Sequence, residues 1–351
     1  MNSPLFNPAH KPTSRSAAHD RSSGLRRPHL FLAAVLALGL AHPAPTEATL
    51  LVYEGYNYGA ILSNDDSMDG VTTNATGLSG DYDLSGGEVN WSSNGLEFGS
   101  MWLPTSPGSV RIVDPDVTNT LDIGWNAGTQ TGTVWNSYLF HFEAFTGGPS
   151  SNVGLMIQGD TTRFFTGVPT RNGGGGRFAP STRYEGGVAQ TGINDTPPYT
   201  GVGSTPDNVS FSTGVTYLGI TKITRVGQAL SESEPGVISH WVFTQANYED
   251  WRTLGGGLES TLADYANWTS IQHLDDDDDP INDAGTFGLD NTMSFRLSGR
   301  MFGGTRDMDV TYDEIRWATS LDAVAIPEPA HIALGLGLLA LGLTIWRRRR
   351  T

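Results

Sequence analysis

Cysteine is absent from the 351-residue sequence, which rules out disulfides, thiolate metal sites and cysteine nucleophiles together. Basic residues are scarce, with 21 Lys and Arg against 37 Asp and Glu. They are also unevenly placed. Residues 1–48 hold five basic residues against two acidic, and residues 327–351 hold four against one, so the stretch 49–326 keeps 12 basic and 34 acidic residues. Its formal charge of −22 repels phosphate backbones, so nucleic acid is not an expected partner. Such a charge suits an exported protein or one that holds divalent cations. Helix formers are few, while Gly (44 residues) and the turn formers Asn, Ser, Thr and Asp are abundant, which argues against a helical protein.

The recognisable catalytic patterns are missing too. A jelly-roll glycosidase of the laminarinase kind carries Glu-x-Asp-x-x-Glu or Glu-x-Asp-x-Glu on one strand, where period 2 sets the carboxylates on one face; neither spelling occurs. Glu232 and Glu234 have the spacing but precede the Pro235-Gly236 turn, and Asp313 and Glu314 are adjacent, so they should point to opposite faces. There is no Gly-x-Ser-x-Gly elbow. Gly173 to Gly176 lack the following Lys-Ser/Thr of a phosphate loop. The middle has three histidines, His141, His240 and His273, far apart in sequence, and each reads as a structural or surface residue. No catalytic residue is assigned.

What the sequence does have lies first at its ends. Residues 1–27 are polar and basic, 30–40 form an 11-residue apolar run, and small residues with Pro43 and Pro45 follow. That order is a secretory signal, with Ala48, Ala44 or Ala41 before the cut. Arg26-Arg27 hints at twin-arginine export, but Pro28-His29 fits it poorly, and an ordinary signal with a long basic lead is favoured. At the other end stand Pro327, Glu328 and Pro329, an uncharged run over 330–346, then Arg347, Arg348, Arg349 and Arg350. As a helix the 17 residues would span about 25 Å, short but sufficient for a bilayer, with the arginines on the cytoplasmic side. This order resembles the PEP-CTERM sorting signal of bacterial exported proteins. The resemblance implies an exosortase-type membrane protease that acts at Pro327-Glu328-Pro329, a cell-envelope or extracellular location, and the company of extracellular polysaccharide.

Between the ends, alternation of period 2 dominates. Strands are predicted over 133–145, 153–157, 215–224, 237–244, 292–297 and 310–317, each bounded by Gly, Pro, Asn or Asp. In the first, Val134, Tyr138, Phe140 and Phe142 share one face and Trp135, Ser137, His141 and Glu143 the other. Leu258, Leu262 and Tyr265 predict one short helix near 258–268. Residues 167–203 read as a loose insertion. Many short strands with one helix predict an all-β, antiparallel sandwich. Leu51-Val52-Tyr53-Glu54-Gly55-Tyr56-Asn57-Tyr58 opens the region and Thr311-Tyr312-Asp313-Glu314-Ile315-Arg316-Trp317 closes it. These two stretches resemble the bracketing strands of the concanavalin A-like (laminin-G-like) jelly roll found in PEP-CTERM surface proteins, a resemblance that would cover about 49–320. In the closing strand Ile315 and Trp317 should face the core and Glu314 and Arg316 the solvent.

Two kinds of binding residue stand out. Asp275, Asp277, Asp279 and Asp283 belong to the densest acidic run, and calcium gathers oxygen ligands from such loops, although EF-hand spacing is absent. The solvated loop is the plainer reading. Residues 64–70 are a weaker candidate of the same kind. Of the eight tryptophans in 49–326, Trp135 and Trp241 sit in strong strands and read as core, whereas Trp125 and Trp251, near turns, are the better candidates for stacking on sugar rings. The expected protein is a non-enzymatic, glycan-associated or structural envelope protein. A polysaccharide hydrolase or lyase on the same fold and a calcium-stabilised adhesion module are the alternatives.

Overall fold

The computed structural model describes residues 49–99, 103, 105–113, 118–145, 151–158, 162–170, 181–186, 212–229, 234, 236–274, 288–301 and 308–325. The segment 1–48 read as a secretory signal, the acidic run with Asp275, Asp277, Asp279 and Asp283, and the tail with Pro327-Glu328-Pro329 and its four arginines lie outside these residues. Among the described residues no helix is long and apolar enough to cross a membrane.

The described chain is an antiparallel sandwich of two sheets. The strands are β1 (Leu50–Glu54), β2 (Leu78–Ser85), β3 (Glu88–Ser92), β4 (Ser109–Val113), β5 (Thr118–Trp125), β6 (Gly132–Phe145), β7 (Ser151–Gln158), β8 (Thr162–Thr170), β9 (Ser181–Gly186), β10 (Thr216–Val226), β11 (Gly236–Thr244), β12 (Trp268–Leu274), β13 (Ser294–Met301) and β14 (Met308–Ala318). The larger sheet runs β12-β11-β10-β6-β14-β4-β3, with β1 also paired to β14, and the smaller runs β2-β5-β13-β7-β8-β9. Helices are short: α1 (Gln245–Thr253), α2 (Leu262–Tyr265) after a 3-10 turn at Glu259–Thr261, and α3 (Leu321–Ala325).

All six predicted strands are present. The region read as a loose insertion is partly regular, because β8 runs to Thr170 and β9 occupies Ser181–Gly186, pairing with β8 over Thr162–Gly167. The predicted helix is the 3-10 turn plus α2. Leu262 is buried as expected, but Leu258 is exposed, so the i, i+4 pattern does not mark a single buried face.

Alternation along β6 builds two cores. Val134, Tyr138, Phe140 and Phe142 enter the space between the sheets, where they meet Leu121, Ile123, Leu155, Ile157, Phe295 and Leu297 of the smaller sheet. Trp135 and Leu139, with Leu218, Ile220, Trp241 and Phe243, lie on the outer side of the larger sheet. There Tyr248 and Trp251 of α1, Leu262 of α2 and Leu321 and Val324 of α3 cover them. The main chain of α3 is pinned by hydrogen bonds that Ser137 Oγ donates to Val324 O (2.7 Å) and Tyr248 OH donates to Ala325 O. One end of this outer face is thus roofed by helices. The other is not roofed by a helix of the described residues, and that end carries the candidate site.

The closing strand corrects one expectation. Tyr312 and Ile315 both face the inner core, three residues apart, and strict alternation cannot do that. An extra residue is inserted: the register slips between Asp313 and Arg316, and Glu314 adopts φ +52°, a β-bulge. Glu314 and Arg316 are therefore buried rather than solvent-facing. Asp313 accepts hydrogen bonds from the N–H of Leu96 (2.7 Å) and of Glu314 (2.7 Å). Glu314 accepts from Ser106 N–H, from Tyr53 OH (3.3 Å) and from Arg316 Nη2 (2.7 Å). The bulge so fastens the segment that brings Leu96, Phe98 and Leu103 to the outer core. Burial pushes the Asp313 carboxyl well above its ordinary value, with the Glu314 charge adding to the rise.

Candidate functional site

The unroofed end of the larger sheet holds a surface cleft of about 640 Å³ lined by Lys222, Thr224, Val237, Ser239, Trp241, Leu258, Glu259 and Ser260, a size usual for small-ligand sites. Its floor follows from strand alternation. On β10 the residues Tyr217 and Ile223 point inward, so Lys222 and Thr224 belong to the outer side. On β11 Ile238 and Val242 point inward, so Val237, Ser239 and Trp241 face out. Antiparallel register sets Lys222 opposite Ser239 and opposite Trp135.

The wall is the turn that follows α1. Trp251 Nε1 donates to Leu258 O (3.0 Å), and Thr261 Oγ1 donates to Gly255 O (3.0 Å) and Leu258 O (2.9 Å). Gly257 has φ +64°, a left-handed conformation that favours glycine, so the tight turn beside Arg252 is built on it. This anchoring puts Leu258, Glu259 and Ser260 over the strand floor.

Across the cleft Lys222 Nζ forms an ion pair with the Glu259 carboxylate. Lys222 also lies 5.4 Å from the Trp135 ring centroid, and Trp135 stacks on Trp241 at 6.1 Å and 19°. The Trp241 indole N–H is buried and meets no acceptor among the described residues. The cleft therefore combines an indole, two apolar side chains, three hydroxyls and one charge pair. Such a set can pack against a C–H face while donating to and accepting from hydroxyl groups.

The tryptophans singled out from sequence are not at the surface. Trp125 is buried edge-to-face against Trp317 (5.5 Å, 87°), and its Nε1 donates to Gly128 O (3.1 Å). Trp251 is wholly buried in the outer core. Nearness to a turn misled because each indole uses its N–H to fasten that turn from inside. Neither can stack on a sugar. Trp251 still serves the cleft by holding its wall, and Trp241, read as core, is both packed in the core and part of the lining.

The remaining candidates separate. Asn64, Asp66 and Asp69 cap turns: Asn64 Oδ1 accepts from Ser93 N–H (2.6 Å), Asp66 from Ser63 N–H (2.7 Å) and Asp69 from Leu84 N–H (3.1 Å). Among the described residues no three His, Asp or Glu gather as a metal site. Asp83 and Asp122 are opposed on neighbouring strands, but Arg296 grips Asp122 with two nitrogens. His141 approaches Glu143 (3.6 Å) and Thr216 Oγ1 (3.1 Å). His273 takes the register position opposite Val237 on β12.

His240 lies inside the sandwich. It stacks on Tyr138 (6.1 Å, 12°), its Nδ1 is 2.9 Å from Thr221 Oγ1, and its Nε2 has no partner among the described residues. Burial lowers its pKa from 6.5 to about 3, against a smaller opposing effect of a hydrogen bond with the Ile220 backbone. Room for the two rings comes from Gly219, where a Cβ would stand 2.8 Å from Tyr138 and 3.1 Å from His240. A second buried group is Glu54, whose carboxylate accepts from Tyr56 N–H (2.6 Å), Tyr58 OH (2.9 Å) and Tyr82 OH (2.5 Å). Burial raises its pKa against those bonds. Neither group reaches the cleft.

Sequence reasoning missed Lys222, Thr224, Val237, Ser239, Leu258, Glu259 and Ser260 as a set. The signal available was the polar outward positions Lys222, Thr224 and Ser239 on two strands otherwise rich in apolar residues. Their partner Glu259 lies 37 residues from Lys222 and cannot be placed without the fold.

No protein-family model matches the chain, and no curated protein matches it in sequence. Among solved structures it is similar to the cellulose-induced protein Cip1 (TM-score 0.36, 13% identity, 67% of this chain and 87% of that one). It is also similar to the alginate lyase Aly36B (0.33, 15%, 63% and 86%) and to the alginate lyase vAL-1 from Chlorella virus (0.31, 9%, 63% and 89%). All three similarities are too distant to say what the cleft takes.

Proposed function

We propose that residues 49–326 form a concanavalin A-like jelly roll that is exported, held at the cell envelope, and binds extracellular polysaccharide without turning it over. The observation that carries this reading is the cleft over β10 and β11, in which Trp241 and Leu258 stand beside the hydroxyls of Thr224, Ser239 and Ser260 and the Lys222–Glu259 pair. A sugar offers apolar C–H faces and polar edges, and these residues complement both. Binding is favoured over catalysis because the carboxylate in the cleft is engaged by Lys222.

Delivery is proposed from the ends of the chain. The signal over 1–48 exports the domain, and the PEP-CTERM order of Pro327, Glu328, Pro329, the apolar run 330–346 and Arg347 to Arg350 holds it at the membrane until an exosortase-type protease cuts near Pro329. Intact-mass measurement on Glu328→Ala tests this half: the tail should persist, and normal processing of the variant would reduce 330–346 to a plain anchor.

The binding half is tested by a glycan array with purified 49–326. Lys222→Met keeps an apolar stem over Trp135, and Ser260→Ala alters an exposed hydroxyl. Both should weaken binding while the melting temperature holds. Retention of full binding by both variants would place the glycan elsewhere.

A further inference from the structure

The charge arrangement around the cleft narrows what kind of sugar chain it takes. Lys222 is the only cation in the lining among the described residues, and it is already engaged by Glu259. The same holds for other described cations: Arg225 holds Glu234 (2.7 Å), Arg111 holds Asp309, Arg296 holds Asp122 and Arg316 holds Glu314 (2.7 Å). An acidic sugar would have to take Lys222 from Glu259. The Glu259 carboxylate, its side chain 49% exposed, would then stand uncompensated beside the incoming charge. The approach would also be made against the field of a region carrying 34 acidic and 12 basic residues, which slows and weakens the capture of anions.

A neutral hydroxyl meets none of these obstacles. It carries one donor hydrogen and two acceptor lone pairs. It can therefore accept from the Lys222 ammonium and donate to the Glu259 carboxylate with the ion pair intact, and hydrogen bonds to charged groups are the stronger kind. Val237, Trp241 and Leu258 supply the apolar contact.

We infer that the cleft selects neutral polysaccharide chains, with the intact Lys222–Glu259 pair as the reading element for sugar hydroxyls. This rests on the cleft being the glycan site. The test uses isothermal titration of purified 49–326 with neutral hexasaccharides (cellohexaose, mannohexaose, maltohexaose) and acidic ones (hexamers of mannuronate and galacturonate). A neutral hexamer should bind, with affinity that changes by less than about two-fold as salt is raised, since no net charge is exchanged. Glu259→Gln should weaken that binding by about ten-fold, the loss expected for one charge-assisted hydrogen bond. For an acidic ligand the same variant would free Lys222 and tighten binding. Acidic hexamers bound more tightly than neutral ones, with affinity rising in Glu259→Gln, would overturn the inference and leave the glycan reading standing. No binding in either series would overturn both.

Discussion

His240 should give the protein a measurable acid sensitivity. Its imidazole is completely buried between the sheets, with a pKa lowered by burial from 6.5 to about 3. In the unfolded chain it takes up a proton below pH 6.5; in the folded protein it does so only below about 3. The unfolded state therefore binds more protons across that window, so the stability present above pH 6.5 is lost as pH falls toward 3. Each pH unit is worth about 1.4 kcal/mol, so the loss between pH 6.5 and 3.5 approaches about 4 kcal/mol, a large part of an ordinary domain's stability. Glu54 and Asp313 act the other way. Their folded pKa values are raised, so their contribution is largest at low pH and is lost as pH rises through those values. The comparison that isolates the imidazole is His240→Gln, which has no titrating group. Urea unfolding of 49–326 at steps from pH 7 to 3.5 should show the parent losing about 4 kcal/mol more than the variant. Parallel curves would refute the assignment and mean that His240 gains a proton or a water partner without strain in the fold.

Three further outcomes follow from the packing. Gly219→Ala pushes a methyl group toward the Tyr138 and His240 rings and should cost about 1–3 kcal/mol in urea unfolding, the usual range for overpacking. Glu54→Ala leaves the Tyr82 hydroxyl and the Tyr56 N–H without their acceptor; at about 1–3 kcal/mol for each stranded buried donor, the melting temperature should fall sharply, and an unchanged value would show that water replaces the carboxylate. Trp251→Ala should cost about 3–5 kcal/mol as a large core truncation and also abolish glycan binding, because the wall bearing Leu258 and Glu259 loses its anchor; binding that survives in the folded variant would contradict that role.

The parts of the fold set by neighbours in sequence were legible, and those set by distant partners were not. Alternation in β6 marked both of its faces correctly, down to Trp135 on one and Tyr138 on the other. The spacing of Tyr312 and Ile315 could have betrayed the bulge, since two core residues three apart cannot share a face of a regular strand. The indoles of Trp125 and Trp251 were misplaced because exposure depends on what covers a turn, and that cover comes from Trp317 and from α1 packing on the outer face. The cleft was hidden for the same reason, as strand alternation named its floor while its wall belongs to a turn fixed only by tertiary contacts.

The position of β14 has a consequence for the order in which the domain can be made. β14 lies between β6 and β4 and also pairs with β1, yet it is the last of the described strands to be synthesised. Until residues 308–318 arrive, β3 and β4 have no ladder to the β6-β10-β11-β12 half of their sheet among the described residues, and β1 keeps only the bridge from Tyr53 to Thr76. Pairings of such long sequence separation form late and slowly. The chain is thus kept from premature closure during synthesis, and a product that stops short of β14 should remain a target for proteolysis instead of settling into half a sandwich.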